Sequence, residues 1–251
     1  MDCGLGRSED FKLHRAMARK LGVPPMLKAV DAASASGRQV LGLKLATAAF
    51  LHAGDGDEAR LLRIRQLSRV RCPDLAVSEA EEWALQGEAP AHRIARILAD
   101  EGLQDEALDL LDAALSARHR DELLLERARI YFEVDEAEIA LEDAARLARE
   151  GSSEIARKAL EIVESVADEH LLFDRSDEAL AAIEQAAPRS HRHAPLAYRV
   201  GLAYENKAEL ATARRWFQQT LRLDKTHSDA AFRLEALEKR LHIASTLDSL
   251  G

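Results

Sequence analysis

The feature that most constrains this 251-residue chain is a pair of small residues, twelve positions apart, that recurs four times. The pairs are Ala95 and Ala107, Ala128 and Ala140, Ala167 and Ala179, and Gly201 and Ala213, displaced successively by 33, 39 and 34 residues. The same register places a bulkier residue after each first member: Leu98, Tyr131, His170 and Tyr204. It also aligns Leu111, Ala144, Ile183 and Phe217 behind each second member. Small residues on two consecutive helices let their backbones approach closely, while bulky neighbours fill the groove between one pair and the next. The displacement of 39 is read as an extended break at Glu150-Gly151-Ser152-Ser153.

The rest of the chain agrees with helices. Nearly every segment reads as an amphipathic helix of about 10–18 residues, ended by a short break. The breaks include Gly22-Val23-Pro24-Pro25, Ser36-Gly37, Gly54-Asp55-Gly56, Cys72-Pro73, Gly87, Gly102, His119 and Asp174, giving roughly fourteen helices. With 12 Gly, 6 Pro and 4% aromatics, the chain has too few turn residues and large ring side chains for an all-β fold.

On these residues the chain resembles the tetratricopeptide-repeat family, whose 34-residue unit is a helix–turn–helix. The closest unit is Ala194–His227, with Gly201, Tyr204, Ala213, Phe217, Leu221 and Leu223-Asp224. It departs from the family at Ala197, where a large residue is usual, and at Lys225, where proline is usual. Asp105-Glu106-Ala107-Leu108 and Asp177-Glu178-Ala179-Leu180 look like starts of second helices. The resemblance covers residues 88–227 and implies an all-α, right-handed α-solenoid of stacked antiparallel helix pairs. Residues 228–251 read as a capping helix and tail, because a last repeat would otherwise expose its core face. Residues 1–37 read as a basic helical segment and 38–87 as degenerate repeats. Within them, strict alternation pairs 57–70 with 74–86, while the turn-like His52 to Ala59 would pair 39–52 with 57–70; alternation is preferred.

In the family, first helices line the concave face, where peptides lie. Carried over residue by residue, the resemblance implies a groove containing His92, Arg93 and Arg96, then Glu122, Leu125, Glu126, Arg129 and Glu133. Glu161, Glu164 and Asp168 follow, then Tyr198, Leu202, Glu205 and Asn206. The middle of that groove is acidic. Tyr198 and Glu164 stand where a lysine would be wanted to clamp a C-terminal carboxylate, so a basic or mixed peptide fits better. The plain alternative is that these carboxylates solvate exposed helix faces. The expected function is therefore a non-catalytic protein-interaction scaffold or adaptor.

Charge is unevenly distributed. Residues 1–72 hold 13 Lys+Arg and 7 Asp+Glu, a net of +6, which leaves −15 for residues 73–251. Arg60, Arg63, Arg65, Arg69 and Arg71 crowd one helix, preceded by Lys12, Arg15, Arg19, Lys20 and Lys28. Such a surface could contact phosphate, an acidic protein or anionic lipid, so a regulatory subunit with a basic N-terminal third is a second reading. Ala18 to Val23 echoes a helix-turn-helix turn, but Pro24-Pro25 and the short preceding segment weigh against nucleic acid. A third reading is self-assembly through an imperfectly capped N-terminal end.

No phosphate loop, dinucleotide fingerprint, HExxH or GxSxG motif is present, so neither catalysis nor a cofactor is expected. His191 and His193 lack thiol or carboxylate companions in sequence and read as loop residues, giving no metal site. Trp83 and Trp216 read as packing residues. The best apolar stretch, Val40 to His52, carries Lys44 and is too short to span a bilayer. Two cysteines, Cys3 and Cys72, with no secretory leader pattern at the start, suit a reducing, cytoplasmic setting.

Overall fold

The computed structural model describes residues 9–53, 56–70, 72–84, 90–118 and 120–248. Among them there are fourteen α-helices, one short 3₁₀ turn (Ser190–Arg192) and no strand. In order, the helices are α1 (Glu9–Leu21), α2 (Val23–Ala35), α3 (Gln39–Ala53), α4 (Asp57–Arg69), α5 (Pro73–Ala84), α6 (Ala91–Asp100) and α7 (Gln104–Ala117). They continue as α8 (Asp121–Glu133), α9 (Ala137–Glu150), α10 (Ser153–Leu172), α11 (Ser176–Gln185), α12 (Ala194–Asn206), α13 (Leu210–Leu223) and α14 (Ser228–Asp248). The chain divides into two compact units, Met1–Glu126 and Arg127–Gly251. The expected breaks at Gly54-Asp55, Gly87 and His119 lie outside the described residues.

One turn design closes the hairpins. Five of the hairpins have a residue with positive φ after their first helix: Gly37 (73°), Gly102 (85°), Asp135 (65°), Asp174 (59°) and Ala208 (59°). The next amide then donates to the carbonyl five positions back, from Arg38 to Ala33, Leu103 to Leu98, Glu136 to Tyr131, Arg175 to His170 and Glu209 to Tyr204, at 2.8–2.9 Å. This is the Schellman closure, which satisfies carbonyls that the helix end would leave unpaired. The acceptors Leu98, Tyr131, His170 and Tyr204 are the bulky residues that the repeat register aligned. Cys72 makes the same bond to Leu67 at 3.2 Å, so α4 and α5 also form a hairpin. The pairs are therefore α2/α3, α4/α5 and α6/α7 in the first unit, with α10/α11 and α12/α13 in the second.

The small residues work as their spacing requires. Ala95, Ala107, Ala128, Ala140, Ala167, Ala179 and Ala213 are fully buried, and Gly201 is buried as well. A Cβ on Gly201 would stand 2.5 Å from Cε1 of Phe217, so that ring occupies the space a side chain would need.

The displacement of 39 has a different origin from the one expected. Only Gly151 and Ser152 separate α9 from α10, and α10 itself runs to 20 residues. Ala167 is the fifteenth residue of α10, whereas Ala128 and Gly201 are each the eighth of their helices. The insertion is two extra helical turns. Ile155, Ala156, Ala159 and Leu160 on those turns are buried, in a helix packed against α9, and Ser152 caps them by accepting from the Ile155 amide. A break of Gly and Ser was thus the cap of a longer helix.

Within the first unit, α2, α4 and α6 follow one another as an inner row, while α1 packs on α3 and α5 on α7 as an outer row. In the second, α10 meets α12, α9 meets α11, and α14 covers α13. On α14 the buried side chains are Ala230 and Leu237, while Ala231 faces water.

Candidate functional site

The inner row of the first unit encloses a hollow of about 420 Å³. Its floor is Leu27 from α2, Leu61 and Leu62 from α4, and Ile97 from α6; Asp31, Glu58, Arg65, His92, Arg93, Arg96 and Glu126 form its rim. Arg93 donates to Glu58 at 2.7 Å, and Arg96 bridges Asp100 at 2.8 Å and Glu126 at 3.3 Å. Glu126 is only 6% exposed, so its charge is tied to Arg96 rather than offered to solvent. Arg65 is left short: its Nε makes no hydrogen bond and lies 3.9 Å from Glu101. Glu101 already accepts from Arg69 through both oxygens at 2.9 Å. Asp31 faces the same hollow, exposed and with no ion pair among the described residues.

A larger cleft of about 730 Å³ lies on another side of the unit. Leu110, Ala113, Ala114 and Ala117 of α7 form one wall, facing the end of α5 and the first turns of α6 and α8. Alanines at this spacing leave space that larger side chains would close. Of the residues carried over to the groove, Glu122 and His92 border it. Burial holds the His92 imidazole below its ordinary value of 6.5, against the opposing pull of Glu122, so the ring is neutral at pH 7. The cleft was missed in the sequence reading, although the alanine stripe on α7 signals it.

In the second unit, Arg129, Phe132, Glu133, Lys158, Glu161, Ile162 and Ser165 surround a smaller hollow of about 250 Å³. Glu161 pairs with Arg157 at 2.5 Å. Arg199 takes Glu164 at 3.3 Å and Asp168 at 2.5 Å, and His193 stands 3.2 Å from Glu164. Burial raises the Glu164 carboxyl above its ordinary value even though Arg199 pulls the other way. Glu161, Glu164 and Asp168 of the expected acidic strip are therefore already paired with arginines of this unit. At its end, Tyr198 lies 5.7 Å from Phe217 and 4.7 Å from His227, and its hydroxyl accepts from Arg233 Nε at 3.3 Å. Arg233 also holds Glu205 at 2.8 Å, and Leu202 packs on the same C-terminal core. α14 thus ties down Tyr198 and Glu205.

Apart from Arg65, the described arginines of α4 are structural. Arg60 lies over Trp83 at 4.8 Å and Phe50 at 5.8 Å, and Arg63 lies over Phe50 at 5.2 Å. Arg63 and Arg60 reach Glu79 at 3.0 and 3.9 Å, while Arg69 and Arg65 turn to Glu101. Arg71 lies outside the described residues. Trp216 packs edge-on to His191 at 5.3 Å, and His191 pairs with Glu184 at 2.9 Å. No cluster of three or more His, Cys, Asp or Glu that could hold a metal occurs among the described residues, and no helix there is long and apolar enough to cross a membrane.

No protein-family model and no curated protein matches the chain. Solved structures with a similar arrangement include a fragment of MamA from Desulfovibrio magneticus, at 16% identity over 63% of this chain and 88% of that one, with a TM-score of 0.42. YrrB, a TPR protein described as having an unusual peptide-binding site, shares 14% identity over 90% of this chain and 98% of its own, with a TM-score of 0.40. The TPR2AB domain of yeast Sti1, solved as a pHSP90 complex, shares 15% identity over 94% and 88%, with a TM-score of 0.33. The chain's own features define its repeats: helix hairpins closed by a shared turn design and packed on small residues that keep one register.

Proposed function

We propose that this protein is a non-catalytic scaffold that holds a peptide segment of another protein, with its anchoring point in the inner-row hollow of the first unit. The observation that carries this reading is the make-up of that hollow. Leu27, Leu61, Leu62 and Ile97 offer an apolar floor beside one under-partnered cation, Arg65, and one unpaired anion, Asp31. An aliphatic side chain seated on the floor, flanked by an acidic and a basic residue, would satisfy all three. The ligand is thus a mixed-charge peptide with an apolar anchor, in preference to a purely basic one. Arg96 and Glu126 contribute by shaping the rim. In the second unit, Arg129, Glu133 and Glu161 would offer a smaller polar contact, whereas a basic ligand at Glu164 and Asp168 would have to displace Arg199. Preordered helices lose little conformational entropy on binding, which suits such a surface to segments that are extended when free.

Selection from a displayed random-peptide library tests this. Enrichment of peptides with an aliphatic residue between opposite charges is expected, and Leu62→Glu together with Arg65→Ala should each lower their affinity by about tenfold or more. Failure to enrich any such peptide, or binding by both variants as tight as that of the wild type, would remove the site.

A further inference from the structure

The four cations of α1 are not accounted for by any of these sites. Lys12, Arg15, Arg19 and Lys20 are all exposed, and none has an ion pair or hydrogen bond among the described residues. No carboxylate occurs between Lys12 and Ala29, and the exposed Lys28 extends the positive stretch. On the same helix, Leu13, Met17 and Leu21 are 60%, 38% and 50% exposed. Apolar side chains of this size on a free surface need a partner more than the scattered exposed leucine of any protein, because they form one row.

Their placement says what kind of partner. At about 100° per residue, Leu13, Met17 and Leu21 occupy about 80° of the helix circumference, and Lys20, Lys12, Arg19 and Arg15 follow over about 140° on one side of the row. The remaining side, with the buried Ala18, packs on α3 and the first core cluster. Apolar and cationic groups therefore share one broad convex face, and no α1 residue lines any of the three hollows described above. A nucleic acid would use the cations and leave the Leu/Met row in water. A partner helix packs ridges into grooves over a narrow seam, and would leave the outer cations beyond reach. A flat anionic surface with an apolar layer beneath it meets both groups at once.

We propose that α1 is a peripheral membrane-docking helix, which lies on anionic lipid with Leu13, Met17 and Leu21 entering the headgroup–acyl boundary and the cations meeting lipid phosphates and carboxylates. The acidic remainder of the chain does not prevent this, because charges beyond about 10 Å are screened at physiological salt. Docking of this kind is reversible and salt-sensitive, and needs no spanning segment.

Flotation of the full chain with vesicles tests it, using phosphatidylcholine alone and phosphatidylcholine with phosphatidylserine. Binding is expected only with phosphatidylserine, and it should weaken as salt rises. Charge reversal in K12E/R15E/R19E/K20E and removal of the row in L13S/M17S/L21S should each reduce binding by about tenfold or more. K12R/K20R should retain it. Thermal unfolding of each variant shows whether the fold is intact, and a loss of binding in K12R/K20R, which keeps every charge, would count against the proposal. Absence of wild-type binding to phosphatidylserine vesicles, or binding by both loss variants as strong as that of the wild type, overturns it. So does α1-dependent capture of duplex DNA or polyglutamate without vesicle binding, which would assign the face to nucleic acid or to an acidic protein instead.

Discussion

α1 and α4 look alike as sequences, since each carries four or more cations, yet the fold uses them in opposite ways. The α4 cations reach inward or sideways to Glu79, Glu101, Phe50 and Trp83, whereas those of α1 meet solvent alone. The distinguishing variable is the neighbour rather than the helix. α4 sits in the middle of a row, with α5 presenting Glu79 and Trp83 and the end of α6 presenting Glu101. Among the described residues, α1 packs mainly on α3 and, less closely, on α2. Counting charge along a chain therefore measures potential, and packing decides how much of it remains available to a partner.

The largest test of this contrast is Trp83→Ala. It empties a buried aromatic site and removes the surface on which Arg60 rests, so a loss of about 3–5 kcal/mol in unfolding free energy is expected from denaturant titration. Met17→Ala, on the exposed face of α1, should change stability by no more than about 0.5 kcal/mol. Comparable effects at both positions would erase the distinction. A middle-sized test compares cations directly. Arg69→Ala leaves the mostly buried Glu101 without its two-oxygen partner and should cost about 1–2 kcal/mol, discounted because the arginine itself is one-third exposed. Arg19→Ala, with no partner to strand, should be neutral within about 0.5 kcal/mol.

Much of the fold was legible because it rests on local rules. Small residues mark close helix crossings, and the residue that accepts the Schellman bond sits at a fixed offset from them, as with Ala128 and Tyr131. The positive-φ position itself was harder to see. Glycine marks it in the first unit, at Gly37 and Gly102, while Asp135, Asp174 and Ala208 fill it in the second. Aspartate tolerates that conformation, but Ala208 carries no sign of it. The longer α10 was hidden for a similar reason, since Gly151-Ser152 reads equally as a loop or as a cap.

The candidate site was less legible than the fold, because charges were assigned to faces without their cross-helix partners. Glu164 and Asp168 face the expected row, but Arg199, 31 and more residues away in sequence, pairs with both. Tyr198 and Glu205 were placed in an open groove, whereas Arg233 of the last helix closes over them. The alanine-lined cleft beside α7 shows the converse error, since a row of small residues can mark a space as well as a close contact. In each case the missing information is the residue across the interface, which a single-helix pattern does not contain.

The subtlest test concerns the sign of the electrostatics under α4. Burial raises the Glu79 carboxyl above its ordinary value of 4.5, and Arg63 and Arg60 offset this only in part. The folded state thus holds a proton on Glu79 more readily than the unfolded chain does. Its contribution to stability is present at pH below the unfolded value and declines as pH rises through 4.5 towards the raised folded value. Glu79→Gln removes that proton site while keeping hydrogen-bonding capacity. The difference in unfolding free energy, wild type minus variant, should therefore fall as pH rises above the ordinary value of 4.5, followed by urea titration at each pH. If the arginines dominated instead, the same difference would rise with pH. A rise would mean that α4 holds attractive charge in excess of what burial demands. A fall would mean that Arg60 and Arg63 compensate a buried carboxylate rather than add attraction beyond what its burial costs.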